Sequence, residues 1–253
     1  MKTINFPLLI FIFTSMFYSC KKDESLESAQ NPLNIRFNLL CNGENLSPNV
    51  QYLNNSGELF SISAFKMYIG GISLNNTNTQ KSTAAKQYHL LNYLDSTSLL
   101  VIEPLNAGNY NQLSFTIGID SIHSVSGSQT DALDPLNGMF WTWNTGYINA
   151  KLEGISPSST AIGKTFTYHI GGFKSGENTQ RLVKINLPSN LFITLSDGFY
   201  NEIVLDVNLE QWFQGNQIVS IASTPTITTP GSLAMNIADN YATLFSFNRL
   251  VSR

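Results

Sequence analysis

Apolar and polar residues alternate along much of this chain. Leu33, Ile35, Phe37 and Leu39 interleave with Asn34, Arg36 and Asn38, the period-two pattern of a strand with one buried and one wet face. The pattern returns at Leu113, Phe115, Ile117 and Ile119, at Phe166, Tyr168 and Ile170, and at Val183, Ile185 and Leu187. Ile203, Leu205, Val207 and Leu209 give its clearest case. The stretch from Phe60 to Leu74 is apolar and rich in strand formers, and Gly70-Gly71 within it marks a bulge or tight bend. Turn pairs Asn42-Gly43, Ser56-Gly57, Ala107-Gly108 and Asp197-Gly198 punctuate these runs, and the polar segment from Asn75 to Lys86 reads as an exposed hairpin connection. Many short strands so spaced predict an all-β protein, a single antiparallel β-sandwich. One segment departs from alternation. After Pro230-Gly231, the positions Leu233, Ile237, Tyr241, Leu244 and Phe245 recur at helical spacing, with Ser232 as N-cap, which predicts a short C-terminal helix packed on the sandwich. The segment from Ser121 to Gly138 is a long polar loop leading into an aromatic cluster, and such loops in compact domains often carry function.

The first residues have another character. Lys2 precedes a short apolar run from Phe6 to Phe17, and about 12 residues cannot span a ~30 Å hydrocarbon core as a helix. The run ends at Ser19-Cys20, an arrangement that resembles a bacterial lipobox. Residues 1–19 are therefore expected to be a lipoprotein signal peptide, with Cys20 acylated and attaching the chain to the membrane. Lys21-Lys22-Asp23-Glu24 resembles the charged tether of surface lipoproteins in Bacteroidota-type bacteria. Residues 20–31 then form a flexible tether and residues 32–253 the sandwich domain. The expected location is the outer membrane, exposed at the cell surface, or otherwise the periplasmic face.

Charge narrows the partners. The formal net charge is −3, becoming −4 when Lys2 leaves with the signal peptide, and charged residues make up only 12% of the chain. Without a basic cluster, nucleic acid is not an expected partner. Once lipid takes Cys20, Cys41 has no intrachain partner and reads as a buried small hydrophobe, so no disulfide supports the fold. The sequence holds no Gly-rich phosphate loop, no His-Glu-x-x-His pair and no Gly-x-Ser-x-Gly elbow. Asp120, Asp131 and Asp134 flank the long loop and read as turn formers. The chain is expected to bind, not to catalyse.

Residues 138–154 read GMFWTWNTGYINAKLEG and residues 166–172 read FTYHIGG. With AFKMYIGGISL and AGNYNQLSFTIGID upstream and NIADNYATLFSF near the end, they resemble the MbnP-like family of exported copper-binding β-sandwich proteins. The resemblance covers residues 33–250. It implies a copper site built on imidazole, near a tryptophan that a partner di-haem, peroxidase-like enzyme oxidises to kynurenine. Copper accepts imidazole readily, and kynurenine would add a further N or O donor.

Carried over residue by residue, His169 matches the motif histidine, and it shares a strand face with Thr165 and Thr167, away from Phe166, Tyr168 and Ile170. Trp141 and Trp143 are the candidate modified residues, and Met139 shares their parity as a soft donor. A second imidazole has to come from His123 in the loop or from His89, whose neighbours Tyr88 and Leu90 point the other way. His123 is the better placed of the two, so the expected metal residues are His169, His123 and Met139. The alternative is a metal-free surface lipoprotein that binds a glycan or protein partner through exposed Trp141, Trp143 and Trp212.

Overall fold

A computed structural model describes residues 30–127, 129–142 and 144–253. The expectations for the signal peptide, for Cys20 and its tether up to residue 29, and for Trp143 fall outside these residues. Eleven strands carry the architecture: β1 (Gln30–Cys41), β2 (Leu59–Asn76), β3 (Tyr88–Asn92), β4 (Leu100–Asn106), β5 (Gln112–Ile117), β6 (Phe140–Thr142), β7 (Gly146–Ile155), β8 (Thr165–Gly171), β9 (Arg181–Asn186), β10 (Asn201–Asn208) and β11 (Phe245–Ser252). Helix α1 (Ser121–Val125) lies in the long loop and α2 (Ser232–Tyr241) precedes β11. The smaller sheet runs β11-β10-β1, with β4 also on β1, and the larger runs β9-β5-β2-β7-β8, with β3 and β6 attached. The β-sandwich and its short C-terminal helix are as expected.

The alternation explains the core. Leu33, Ile35, Phe37 and Leu39 of β1 are buried, as are Ile203, Leu205 and Val207 of β10, and they face Leu113, Phe115, Phe166 and Tyr168 of the larger sheet in one cluster. Phe37 and Phe115 meet across the sandwich edge to face at 6.2 Å, and Phe115 meets Phe245 at 4.9 Å. One central pairing departs from antiparallel order: β1 and β10 run parallel, Leu33 opposite Asn201 through Leu40 opposite Asn208. The chain crosses into the larger sheet between them and re-enters from the same end. The Asn42-Gly43 turn has positive φ at both residues, +53° and +80°, which reverses β1 tightly into Glu44–Asn45.

β2 spans 18 residues by bending twice. Its register shifts opposite Glu153/Gly154 and again between Gly70 and Ser73, so the buried parity passes from Phe60 and Ile62 to Phe65, Met67 and Ile69, then to Ile72 and Leu74. The Gly70-Gly71 bulge is thus present. A Cβ on Gly70 would fall 2.4 Å from the Tyr88 ring, so only glycine lets β3 lie flat there.

α2 differs from expectation in three particulars. Gly231, at φ +141°, occupies the cap position and Ser232 is already helical, with no side-chain cap hydrogen bond. Leu233 is 53% exposed, whereas Ala234, Ile237, Ala238 and Tyr241 face the core. Leu244 and Phe245 lie beyond the helix end, where Thr243 Oγ1 donates to Asn240 O at 2.7 Å and the chain turns into β11. No helix among the described residues is long and apolar enough to cross a membrane.

Candidate functional site

The site lies on the outer face of the larger sheet, where the loop after β5 folds back over the strands. Gly118, at φ +95°, starts the turn, and a Cβ there would collide with Asn149, whose Oδ1 accepts from Ile119 N at 3.0 Å. Asp120 then caps α1 by accepting from His123 N at 2.8 Å. Asp134 caps the turn Pro135–Asn137 by accepting from Leu136 N at 2.8 Å. These carboxylates act as cap and turn formers, as read. Tyr147 Oη donates to Leu133 O at 2.6 Å, fastening the middle of the loop. Two lysines fasten its end: Lys66 Nζ donates to Asn137 O at 2.8 Å and Lys151 Nζ to Gly138 O at 2.9 Å. Burial pushes the Lys151 ammonium below its ordinary range, against the pull of Glu153 and with the repulsion of Lys66. Beneath the loop, Tyr68, Ile119, Leu133, Met139, Tyr147 and Ile148 form a second apolar cluster, separate from the core. The described part of the long loop is therefore a cap with its own small core.

The three histidines each rest on a different carboxylate. His89 points into the sandwich, Nε2 2.5 Å from Glu103 of β4, while its neighbours Tyr88 and Leu90 pack on the outer cluster, as parity predicted. His123 Nδ1 lies 2.8 Å from Asp120 Oδ2, with its ring edge-on to Tyr88 at 5.1 Å. Burial acts against the charge of Asp120, but bonds from His123 and Tyr88 outweigh it and hold the carboxyl below its usual range. Burial and the same Asp120 push the Tyr88 phenol up to about 12. His169 Nε2 lies 2.6 Å from Glu153 Oε1 on the outer face of β8, on the side shared with Thr165 and Thr167.

These placements separate the expected donors. Asn92, Lys66, Lys151 and His169 are direct neighbours across the sheet. Three strand spacings, about 14 Å, thus divide β8 from the strand bearing Tyr88, against which His123 packs. Met139 is fully buried in the outer cluster among apolar side chains and tyrosines. Among the described residues, no three His, Cys, Asp or Glu side chains are grouped to hold a metal ion. Cys41 is buried and its thiol is pushed up to about 12 by burial, which leaves it a small hydrophobe as read. Trp212, expected among exposed aromatics, is fully buried against Tyr241 at 5.9 Å, because Gln211–Gln214 forms a helical turn that closes one end of the core.

What the fold does unite is the tryptophan motif and the histidine motif. Trp141 is half-buried, and its six-membered ring lies where a Cβ on Gly171 would stand, at 2.7 Å. Gly171 is two residues along β8 from His169 and on the same face, so indole and imidazole share one surface. The imidazole reaches diagonally to Glu153, which pairs with Thr167, and thus leans away from the indole. Glycine is required at a second motif position too: Gly146, at φ +73°, would otherwise meet Phe173 and Ser124. Sequence reading had no means to find Glu153, Glu103 or the paired lysines, since only register sets them beside their partners.

Gly171→Ala is expected to shift tryptophan emission to longer wavelength, as Trp141 is pushed off the strand into water. The added methyl would sit 2.4 Å from Tyr147 O as well, at a stability cost of about 1–3 kcal/mol. Unchanged emission would place the indole elsewhere.

Known proteins share this fold. The MbnP family model matches residues 30–230. Among solved structures, MbnP from Methylosinus trichosporium is similar at 17% identity, with a TM-score of 0.54, over 81% of this chain and 83% of that one. That likeness is one of fold. A search of curated proteins returned no match. With the family model covering most of the chain and the tryptophan and histidine motifs meeting at Gly171, this chain belongs to the MbnP family.

Proposed function

We propose that the chain is an exported, non-catalytic copper-binding protein, anchored by lipid at Cys20 on the outer membrane, with His169 as its metal-facing imidazole and Trp141 as its oxidisable indole. The observation that supports this most is the meeting of the two motifs: Trp141 packs on Gly171, one strand repeat from His169. His169 and Glu153 form an N/O donor pair of the kind Cu(II) takes. His123 and Met139, held by Asp120 and by the outer cluster, do not complete that pair, and the protein ligand set at His169 is an open one. Bound there, copper would supply a redox-active centre. The protein's own contribution is to orient the imidazole through Glu153 and to keep the indole half-shielded beside it. Oxidation of Trp141 by a di-haem partner, which family resemblance implies, would exchange one carbon for one oxygen in the side chain and is read by intact mass after expression beside that partner.

Titration of the purified protein with Cu(I) and with Cu(II) is expected to show stoichiometric binding in at least one state. His169→Ala is expected to weaken it by about 10-fold or more, at least the loss that follows when only a hydrogen-bond partner of a metal ligand is removed. Absence of stoichiometric binding in both states overturns the copper reading. The glycan- or protein-binding alternative loses Trp212, which is buried.

A further inference from the structure

We propose that the turn from Asp197 to Tyr200 is the part of the domain that rests on the lipid bilayer, with Phe199 entering the headgroup region. The inference rests on the anchored reading above. Phe199 is 54% and Tyr200 41% exposed, an aromatic pair on a turn whose backbone is firmly held. Tyr200 N donates to Arg253 O at 2.9 Å, Arg253 N donates to Tyr200 O at 3.0 Å, and Tyr200 Oη donates to Glu202 Oε2 at 2.7 Å. An exposed aromatic on a fixed turn is not needed by the core, and aromatic rings favour the boundary between water and hydrocarbon.

Position supplies the occupant. β1 and β10 run parallel with Leu33 opposite Asn201, so the turn that leads into Asn201 lies at the Gln30 end of β1. That is where the anchored segment enters the fold. Residues 20–29 reach at most about 35 Å when extended, and a tether of that length holds its two ends at millimolar effective concentration. At that concentration a single apolar side chain suffices to bias which end of the domain meets the membrane. Two other exposed aliphatic side chains of the larger sheet lie at the opposite end of β1. Leu53 and Leu59 face each other as a cross-strand pair, and Asn42 Nδ2 donates to Leu53 O at the Cys41 end of β1. The two ends of that 12-residue strand are roughly 36 Å apart. The charges at the turn are mixed, Asp197 with Arg253 paired to Tyr200, so neither sign drives the contact.

The test uses the chain starting at Cys20, coupled through that thiol to a maleimide lipid in phosphatidylcholine/phosphatidylglycerol vesicles. Cys41, buried with its thiol pushed up to about 12, does not compete for the reagent. Amide hydrogen exchange is compared between coupled and uncoupled protein. Exchange over residues 196–200 is expected to slow about fivefold or more on coupling, with residues 53–59 unchanged, and Phe199→Ser is expected to abolish the slowing. Unchanged exchange at 196–200, or slowing that survives Phe199→Ser, overturns the proposal. Thiol coupling works whether or not a cell acylates Cys20. The anchored reading is therefore judged separately, by the intact mass of the protein extracted from membranes.

Discussion

His89→Ala is expected to destabilise the protein by about 3 kcal/mol, read as a lower urea midpoint at neutral pH. Glu103 sits in the buried register of β4, between Val101 and Leu105, and its side chain is 1% exposed. His89, on the opposite sheet, is its one hydrogen-bond partner shown among the described residues. Truncating His89 would leave a carboxylate in the core with nothing to offset its lost hydration. The lower end of the usual range of about 3–5 kcal/mol applies because His89 is 18% exposed and water can partly replace it. Replacing both residues together, His89→Leu with Glu103→Leu, is expected to restore most of the loss, since apolar packing often matches a buried pair. A loss of less than about 1 kcal/mol in the single variant, the scale of an exposed pair, would mean that water already reaches Glu103.

The second large effect is expected at Glu58. Its carboxylate is 6% exposed and accepts from Asn54 Nδ2 at 2.7 Å, Ser220 Oγ at 2.8 Å, Ile221 N at 2.8 Å and Ala222 N at 2.9 Å. One side chain thus pins the turn before β2 to a segment more than 160 residues away. Glu58→Ala would orphan two backbone donors, and each buried orphan costs about 1–3 kcal/mol, so a loss of roughly 2–6 kcal/mol is expected. Burial acts against the charged form, but the four bonds together hold the carboxyl below its ordinary 4.5. A carboxyl lowered in the folded state stabilises fully above its unfolded value, and that contribution drains as pH falls through the folded value. Wild type should therefore lose stability on acidification below about pH 4.5, while Glu58→Gln starts less stable and changes less over the same range. Parallel pH profiles for the two would show that Glu58 carries no such linkage.

Much of this fold is legible in the residue pattern because the physics there is local. Leu33 to Leu39 and Ile203 to Leu209 alternate since a half-buried strand must, and the structure buries them so. Asn42-Gly43 and Gly70-Gly71 announce a reversal and a bulge, because few other residues adopt the backbone angles or allow the approach they need. The side of the strand that His169 occupies follows from parity, and so does the opposition of His89 to Tyr88 and Leu90. The motif glycines were visible as letters only. Their cause, that Gly171 leaves room for an indole and Gly146 for a phenyl ring, lies in side chains far off in sequence.

Where pattern reading went astray, two segments looked alike until they were packed. Trp212 shares composition with exposed aromatics, yet its helical turn closes the core against Tyr241. Leu233 fits the helical apolar stripe but starts α2 on the solvent side. By itself, then, the sequence determined most of the core strands, the turns, the faces of His89 and His169 and membership in the family, all of which depend on neighbours within a few residues or on the order of short motifs. Tertiary structure alone decided that β1 and β10 run parallel, that each imidazole meets its own carboxylate, and that Trp141 lies beside β8. Register between distant strands sets those contacts, and register is a property of the whole packed sandwich, since a one-residue slip would turn every buried side chain outward.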